Sequence, residues 1–139
     1  MKERLIKVCC ITSLIEAKMA LGASAELLGL VSEMPSGPGV ISLRQIENIV
    51  TALPADTMTV LLTSKRHHQD ILNQHDQVKT WGVQLVDKLP ETELRQLRNS
   101  LPETCLIQVI HVIDERSISE ALLYDDLVDY LLLDSGNPK

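Results

Sequence analysis

Aromatic residues are almost absent from this sequence. Its 139 residues include one Trp, two Tyr and no Phe. The core must therefore be aliphatic, and branched aliphatic residues are typical of parallel strands that are buried on both faces. The scarcity of aromatic side chains also argues against recognition of nucleic acid by base stacking.

The sequence also has no excess of basic residues and no long apolar run. The formal net charge is −6, which argues against nucleic-acid binding because phosphate contacts require a basic surface. No apolar run reaches the length that crosses a membrane. The three cysteines, two of them adjacent, do not make a disulfide framework. These absences predict a protein of the reducing cytoplasm that binds neither nucleic acid nor membranes.

Short apolar runs recur along the whole chain. They begin roughly 25 residues apart, which is the length of one β/α unit. The runs are Leu5–Ile11, Glu26–Ser32, Thr57–Leu62, Trp81–Val86, Cys105–Ile113 and Asp129–Asp134. Helical patterns lie between them, so we predict six parallel strands joined by right-handed crossovers.

Several of the predicted helices have start signals. Capping boxes are predicted at Ser13–Glu16 and at Ser42–Gln45, because in each a Ser precedes a Glu or Gln by three residues. Pro90 fits the first turn of the fourth helix, and Asp114 can cap the fifth. The third helix, Lys65–Gln77, is polar and has the weakest pattern.

Six β/α units fit two architectures, a doubly wound open sheet and part of a (β/α)₈ barrel. Periodicity alone slightly favours the open sheet, because six strands complete a sheet but not an eight-stranded barrel. The phosphate-binding pattern Gly-x-Gly-x-x-Gly is absent after the first strand, which weakens a dinucleotide-binding version. In either architecture, functional residues collect at the C-terminal ends of the strands.

Cys9 and Asp134 form the most interesting pair at these strand ends. A thiolate can remove a carbon-bound proton, and a carboxylic acid can protonate a leaving oxygen. Lys7 shares a strand face with Cys9 and can stabilise a thiolate. Strand alternation predicts that Cys10 points the opposite way, toward the helices. The simpler alternatives are a cysteine that fills a small apolar space and an aspartate that caps a turn.

Other candidate residues have weaker patterns. Gly37 and Gly39, on either side of a proline, can cradle an anion, although such a segment is usually a turn. His67 and His68 do not predict a metal site, because adjacent residues do not share a helix face and no third ligand is suitably spaced. His111 is isolated, and a structural role is its simplest interpretation. We therefore predict no bound metal.

Four segments match one family in order and spacing. Residues 6–13 are similar to its opening strand, Val-Lys-Ile-Cys-Gly-Ile-Thr, and residues 22–31 to its second, Gly-Ala-Asp-Ala-Leu-Gly-Phe. Residues 83–85 and 131–135 match its fourth and sixth strands. The sequence thus resembles the phosphoribosylanthranilate isomerase family, which implies a TIM (β/α)₈ barrel. Residues 1–139 would be a single partial barrel domain with about the first six β/α units, truncated after the sixth strand.

The resemblance implies an intramolecular aldose–ketose isomerase of tryptophan biosynthesis. Its reaction is an Amadori rearrangement that turns an aminoaldose phosphate into an aminoketose phosphate, with no metal or organic cofactor. The general base of the family falls on Cys9, and its general acid falls on Asp134. The residues expected to bind the small sugar-phosphate substrate are Lys7, Gly37, Gly39 and Gln84.

The sequence also departs from the family pattern. Cys10 replaces the Gly that follows the base, and residues 36–40 lack the Arg of Ser-Pro-Arg-Tyr-Val. Gln-Leu-His-Gly becomes Gln-Leu-Val-Asp at residues 84–87, and strands seven and eight, with their phosphate-binding segment, lie beyond the sequence. Two alternatives follow: a related sugar-phosphate isomerase with another substrate, or an inactive fragment or interaction module. The open edges of a partial barrel would favour self-association.

Overall fold

A computed structural model describes residues 4–135, so residues 1–3 and 136–139 of the predicted domain lie outside the described residues. The strands are β1 Lys7–Val8, β2 Leu27–Val31, β3 Met58–Thr63, β4 Gly82–Leu85, β5 Cys105–His111 and β6 Tyr130–Asp134. The helices are α1 Leu14–Gly22, α2 Leu43–Ala52, α3 His68–Val78, α4 Glu91–Ser100 and α5 Arg116–Tyr124. Strands and helices therefore alternate as the sequence predicts.

The strands form one parallel sheet in the order β1-β2-β3-β4-β5-β6. Each strand pairs with the next one in the sequence, whereas the order reverses in a doubly wound sheet. The preference of the periodicity for an open sheet is thus wrong, and the partial barrel is confirmed. Within the described residues, β1 and β6 form the two edges of the sheet.

The two faces of the sheet have different neighbours. Alternate residues of the strands pack against the helices on the outer face; these are Leu28, Leu30, Leu61, Val83, Leu85, Leu106 and Ile110. The intervening residues pack against one another on the interior face; these are Leu27, Val31, Val60, Leu62, Cys105 and Ile107. The strand residues on both faces are almost wholly aliphatic, which agrees with the scarcity of aromatic residues.

Two helix starts show how local sequence sets the boundaries. The Ser42 capping box is confirmed: the Ser42 hydroxyl accepts from the Gln45 N–H, and the Gln45 side chain accepts from the Ser42 N–H. At α1 the predicted box is only half correct. Ser13 accepts from the Glu16 N–H, but the Glu16 carboxylate accepts from the Thr12 N–H at 2.6 Å instead of from Ser13.

The start of α3 is capped from outside the helix. It begins at His68, three residues later than predicted, and no side chain at its own N-cap accepts a hydrogen bond. Glu93 in the first turn of α4 accepts instead from the His68 N–H and contacts the His68 ring Nδ1, each at 2.7 Å. The start of α3 could not be predicted accurately from its own polar sequence, because a neighbouring helix supplies the cap.

Neither a membrane-spanning helix nor a metal-binding group is found in the part of the chain that the structure describes. No helix within residues 4–135 is both long and apolar enough to cross a bilayer. The same residues contain no cluster of three or more His, Cys, Asp or Glu side chains that fits a metal ion. All three cysteines have free thiols.

The cap from Glu93 predicts a pH-dependent stability. The pKa of Glu93 lies below its usual value, first because the carboxylate accepts from the His68 N–H and then because it contacts the His68 ring. A lowered pKa stabilises the fold above the unfolded value of about 4.3, and this stabilisation is lost as the pH falls through the folded value. We expect Glu93→Gln to lower the melting temperature at neutral pH and to cost progressively less as the pH falls below about 4.

Thermal unfolding followed by circular dichroism at a series of pH values measures this effect. Glu91→Gln is the matched control, because Glu91 lies in the same turn and pairs with exposed Arg95, and such exposed pairs contribute little. An equal loss for Glu93→Gln at every pH would show that the carboxylate charge is not involved.

Candidate active site at the strand ends

Four polar residues lie on the interior face of the sheet, and three of them, Gln84, His111 and Asp134, are near the C-terminal ends of their strands. Gln84 pairs in register with Leu62 of the interior face, and Lys7 pairs with Leu27. His111 lies four residues after Ile107 on β5 and pairs with Asp134 on β6. Because neighbours in a parallel ladder point to the same side of the sheet, these four polar residues face the barrel interior.

One ammonium group brings three of the predicted site residues together. Lys7 Nζ lies 3.1 Å from Cys9 Sγ, and it also donates a hydrogen bond to Gln84 Oε1. Gln84 is buried, with 5% of its surface exposed, whereas Cys9 is accessible to solvent. The ammonium group therefore holds the accessible sulfur in place on the interior face.

Gly29 makes room for the Cys9 side chain. A Cβ atom at Gly29 would lie 2.9 Å from Cys9 Sγ and 3.1 Å from Cys9 Cα, too close for either atom to stay in place. Gly29 is not among the residues that the sequence motifs predict for the site. A single glycine inside an otherwise aliphatic strand was the available signal, because such glycines often mark a close approach.

Cys10 does not point toward the helices, so the prediction from strand alternation is wrong. The strand β1 ends at Val8, and Cys10 has a left-handed backbone with φ of 62°. Cys10 packs against the interior cluster instead. Its position is the one at which the family pattern has Gly, the residue that adopts positive φ without strain.

The environment of Cys10 makes it a poor base. Burial raises the pKa of its thiol, the neighbouring Cys9 raises it further, and Lys7 opposes both. Its Sγ donates to the Pro38 carbonyl at 3.6 Å. Cys105, at the start of β5, is buried as well, and its pKa is raised to about 11, mainly by burial. Of the three thiols, that of Cys9 is thus the best placed for acid–base chemistry.

The structure places Gly37 and Gly39 in the loop after β2, on either side of Pro38, whose carbonyl accepts from Cys10 Sγ. Gly39 has φ of 78°, and a Cβ there would come within 2.6 Å of Cys10 Cβ. A Cβ at Gly37, with φ of 122°, would contact nothing within 4 Å. Both glycines therefore shape the loop, and their binding of substrate stays a prediction.

Asp134 is the last residue of β6, at the C-terminal end of that strand. Its side chain is exposed, and its main-chain carbonyl accepts from the Val112 N–H at 2.7 Å. Cys9 follows β1 and Asp134 ends β6, and these strands are the two edges of the described sheet. The predicted base and acid therefore lie at the two opposite edge strands of the described sheet.

No family model matches the chain, but individual relatives and solved structures do. N-(5'-phosphoribosyl)anthranilate isomerase of Gloeothece citriformis is 32% identical over 136 residues, which cover 96% of this chain and 60% of the relative. The enzyme of Microcystis aeruginosa is 30% identical, with 96% and 63% covered. The crystal structure of the Thermotoga maritima enzyme superposes with a TM-score of 0.86 at 26% identity, over 99% of this chain and 64% of that one.

In sequence and in fold, the chain is similar to phosphoribosylanthranilate isomerases. The resemblance from the strand motifs is therefore confirmed by sequence and by fold. The chain spans about three fifths of the length of the curated relatives that it matches. A further isomerase structure, with a TM-score of 0.84, was solved in complex with reduced 1-(o-carboxyphenylamino)-1-deoxyribulose 5-phosphate.

Substitution of Gly29 tests the geometry of the Cys9 site. We expect Gly29→Ala to displace the Cys9 side chain and to destabilise the fold by about 1–3 kcal/mol, the usual cost of overpacking. Gly22→Ala is the matched control, because a Cβ at Gly22 would have nothing within 4 Å and alanine favours a helix. Chemical denaturation measures the stability, and the rate of Cys9 alkylation reports its position. Equal stability and equal alkylation in both variants would contradict the close approach.

Proposed function

We propose that this chain carries the acid and the base of a phosphoribosylanthranilate isomerase, which rearranges an aminoaldose phosphate into an aminoketose phosphate in tryptophan biosynthesis. The observation that carries the proposal is the contact of the Lys7 ammonium group with Cys9, on the same interior face as Asp134. The location that we propose is the cytoplasm, where thiols such as Cys9 stay reduced.

The two candidate groups divide the chemistry between them. Asp134 as general acid protonates the ring oxygen of the substrate, so that the ring opens as the C1–O bond breaks and its electron pair stays on oxygen. Cys9 as general base then removes the proton from C2. Lys7 contacts the Cys9 sulfur and positions it for this step, and Gln84 fixes the direction of the Lys7 side chain through its hydrogen bond.

A related isomerase with another substrate is the second candidate, and the loop after β2 favours it. Residues 36–40 contain no cation for a substrate carboxylate. Two basic residues, Lys65 and Arg66, follow β3. There Ser64 donates to the Glu33 carbonyl at 3.4 Å and so joins the loops after β2 and β3. Lys65 and Arg66 make no ion pair within the described residues. Under the first candidate, these two cations bind the anthranilate carboxylate.

Substitution of the acid and the base tests the catalytic assignment. We expect Cys9→Ser and Asp134→Asn each to lower isomerase turnover by about 10²–10⁴-fold, the range for loss of a general acid or base. The matched control is Cys10→Gly, which removes the neighbouring thiol and relieves the left-handed backbone, and it should keep activity. A dispensable Cys9 with an essential Cys10 would overturn the assignment.

Genetic complementation distinguishes the two candidate functions, which differ in their substrate. The complete reading frame that encodes this chain is expressed in a tryptophan auxotroph that lacks the isomerase. Growth without tryptophan supports the first candidate, and its loss in a Lys65→Met, Arg66→Met double variant supports the carboxylate site. Failure to grow despite folded, expressed protein favours the other substrate or an inactive interaction module.

Exposed apolar side chains at both edges of the described sheet predict self-association. Those at the β1 edge are Ile6, Val8, Ile15 and Met19, and those at the β6 edge are Ile113, Ile118, Leu122 and Leu133. Unpaired strand edges and apolar surface of this kind favour contact with another chain. We expect sedimentation velocity of the purified 139-residue chain to show dimers or larger species.

Charged substitutions on α5 identify the contact surface. Ile118→Lys together with Leu122→Lys should shift the chain toward the monomer, whereas Gln96→Lys, at an exposed polar site on α4, should not. A wild-type chain that sediments as a monomer at concentrations on the order of micromolar would contradict self-association.

A further inference from the structure

Cys9 and Cys10 are adjacent thiols that lie on the same side of the sheet. In a regular strand, neighbouring side chains point to opposite faces. However, β1 ends at Val8, and Cys10, with its left-handed φ of 62°, packs against the interior cluster. Cys9 Sγ lies on that side as well, because it contacts Lys7, whose ladder partner Leu27 belongs to the interior cluster. The fold therefore puts on one side two thiols that strand alternation would separate.

Two glycines leave the space for this pair of thiols. A Cβ atom at Gly29 would lie 2.9 Å from Cys9 Sγ, and one at Gly39 would lie 3.2 Å from Cys10 Sγ. Both distances are shorter than side chains normally make, so each thiol occupies room that a glycine provides. The family pattern has Gly at the position of Cys10. The second thiol is thus a departure of this chain from that pattern.

Both thiols are available to a ligand. They are free, with Cys9 exposed and Cys10 half-buried, and both residues line a cavity of about 410 Å³ that is open to solvent. Cys10 Sγ donates to the Pro38 carbonyl at 3.6 Å, and a thiol is a weak donor that gives up such a bond easily. Cys105 is buried and lies on β5, four strands away from β1 in the sheet. The ligand would therefore meet two thiols.

The charge beside the pair selects the kind of ligand. Thiols bind soft metal ions and, through the same softness, trivalent arsenic. A metal cation at Cys9 would be repelled by Lys7 Nζ, which lies 3.1 Å from the sulfur, and residues 4–135 contain no group of three or more His, Cys, Asp or Glu side chains that could hold a metal ion. An uncharged arsenical meets no such repulsion, and two thiols satisfy an arsenic atom that already carries one carbon substituent.

We propose that Cys9 and Cys10 together form a binding site for uncharged, monosubstituted trivalent arsenicals. In water such a compound has one carbon substituent and two hydroxyl groups on arsenic. Each thiol gives its proton to one hydroxyl group, which leaves as water. Two As–O bonds break, two As–S bonds form, and the oxidation state of arsenic does not change. The site does not depend on the proposed isomerase function, although the bound arsenic would occupy the sulfur that we propose as the base.

Binding of phenylarsine oxide to the 139-residue chain tests the site. Intact-mass spectrometry at increasing concentrations of glutathione, a competing monothiol, measures the affinity. We expect one arsenic per wild-type chain and an affinity about 10²–10⁴-fold lower in Cys9→Ser and in Cys10→Gly, because a second linked contact contributes that factor. Cys105→Ser is the matched control and should keep the wild-type affinity. Unchanged affinity in Cys10→Gly, or its loss in Cys105→Ser, would overturn the assignment of the pair.

Thermal unfolding tests whether the fold, and not only adjacency in the sequence, makes the site. A ligand that binds the folded chain more tightly than the unfolded chain raises the melting temperature. We expect phenylarsine oxide to raise it in the wild type but not in Cys10→Gly, which should fold because glycine adopts the left-handed backbone without strain. Circular dichroism checks that this variant is folded. An unchanged melting temperature in the wild type, or equal affinity for the chain unfolded in urea, would overturn the proposal.

Discussion

The contact of the Lys7 ammonium group with Cys9 and Gln84 is the interaction on which the site depends. It joins β1, a strand of only two residues, to β4 across the barrel interior. A charge in such a half-buried place is costly unless polar groups surround it. The Gln84 carbonyl oxygen and the Cys9 sulfur are those groups. The same contacts therefore stabilise the Lys7 cation and fix the position of the Cys9 thiol.

The short first strand is held at its other end by Glu26. The Ile6 N–H donates to the Glu26 carboxylate at 2.6 Å, and the Ile6 carbonyl accepts from the main chain of Glu26 and of Leu27. These bonds fix the register in which Lys7 lies beside Leu27. Gly29, two residues further along β2, then leaves the space that the Cys9 side chain occupies.

Most of the fold, but less of the site, could be predicted from the sequence. The six strands follow from apolar runs at regular spacing, because burial on both faces requires continuous aliphatic segments. Periodicity could not distinguish a barrel from an open sheet, since both use the same β/α unit. The conformation of Cys10 depends on its packing against Gly39, nearly thirty residues away, and the cap of α3 comes from Glu93. Local sequence patterns do not indicate contacts between segments that are so far apart in the chain.

The external cap of α3 also has a consequence for the order in which the chain acquires structure. A helix whose first turn lacks its own cap is marginal in isolation, because nucleation of a short helix is unfavourable. During synthesis from the N-terminus, α3 emerges before α4, which carries Glu93. The first turn of α3 is therefore stabilised only after Glu93 has been synthesised. The helices α3 and α4 thus form as one cooperative unit. A nascent chain that stops before Glu93 would have four strands ready to pair and a third helix that still frays.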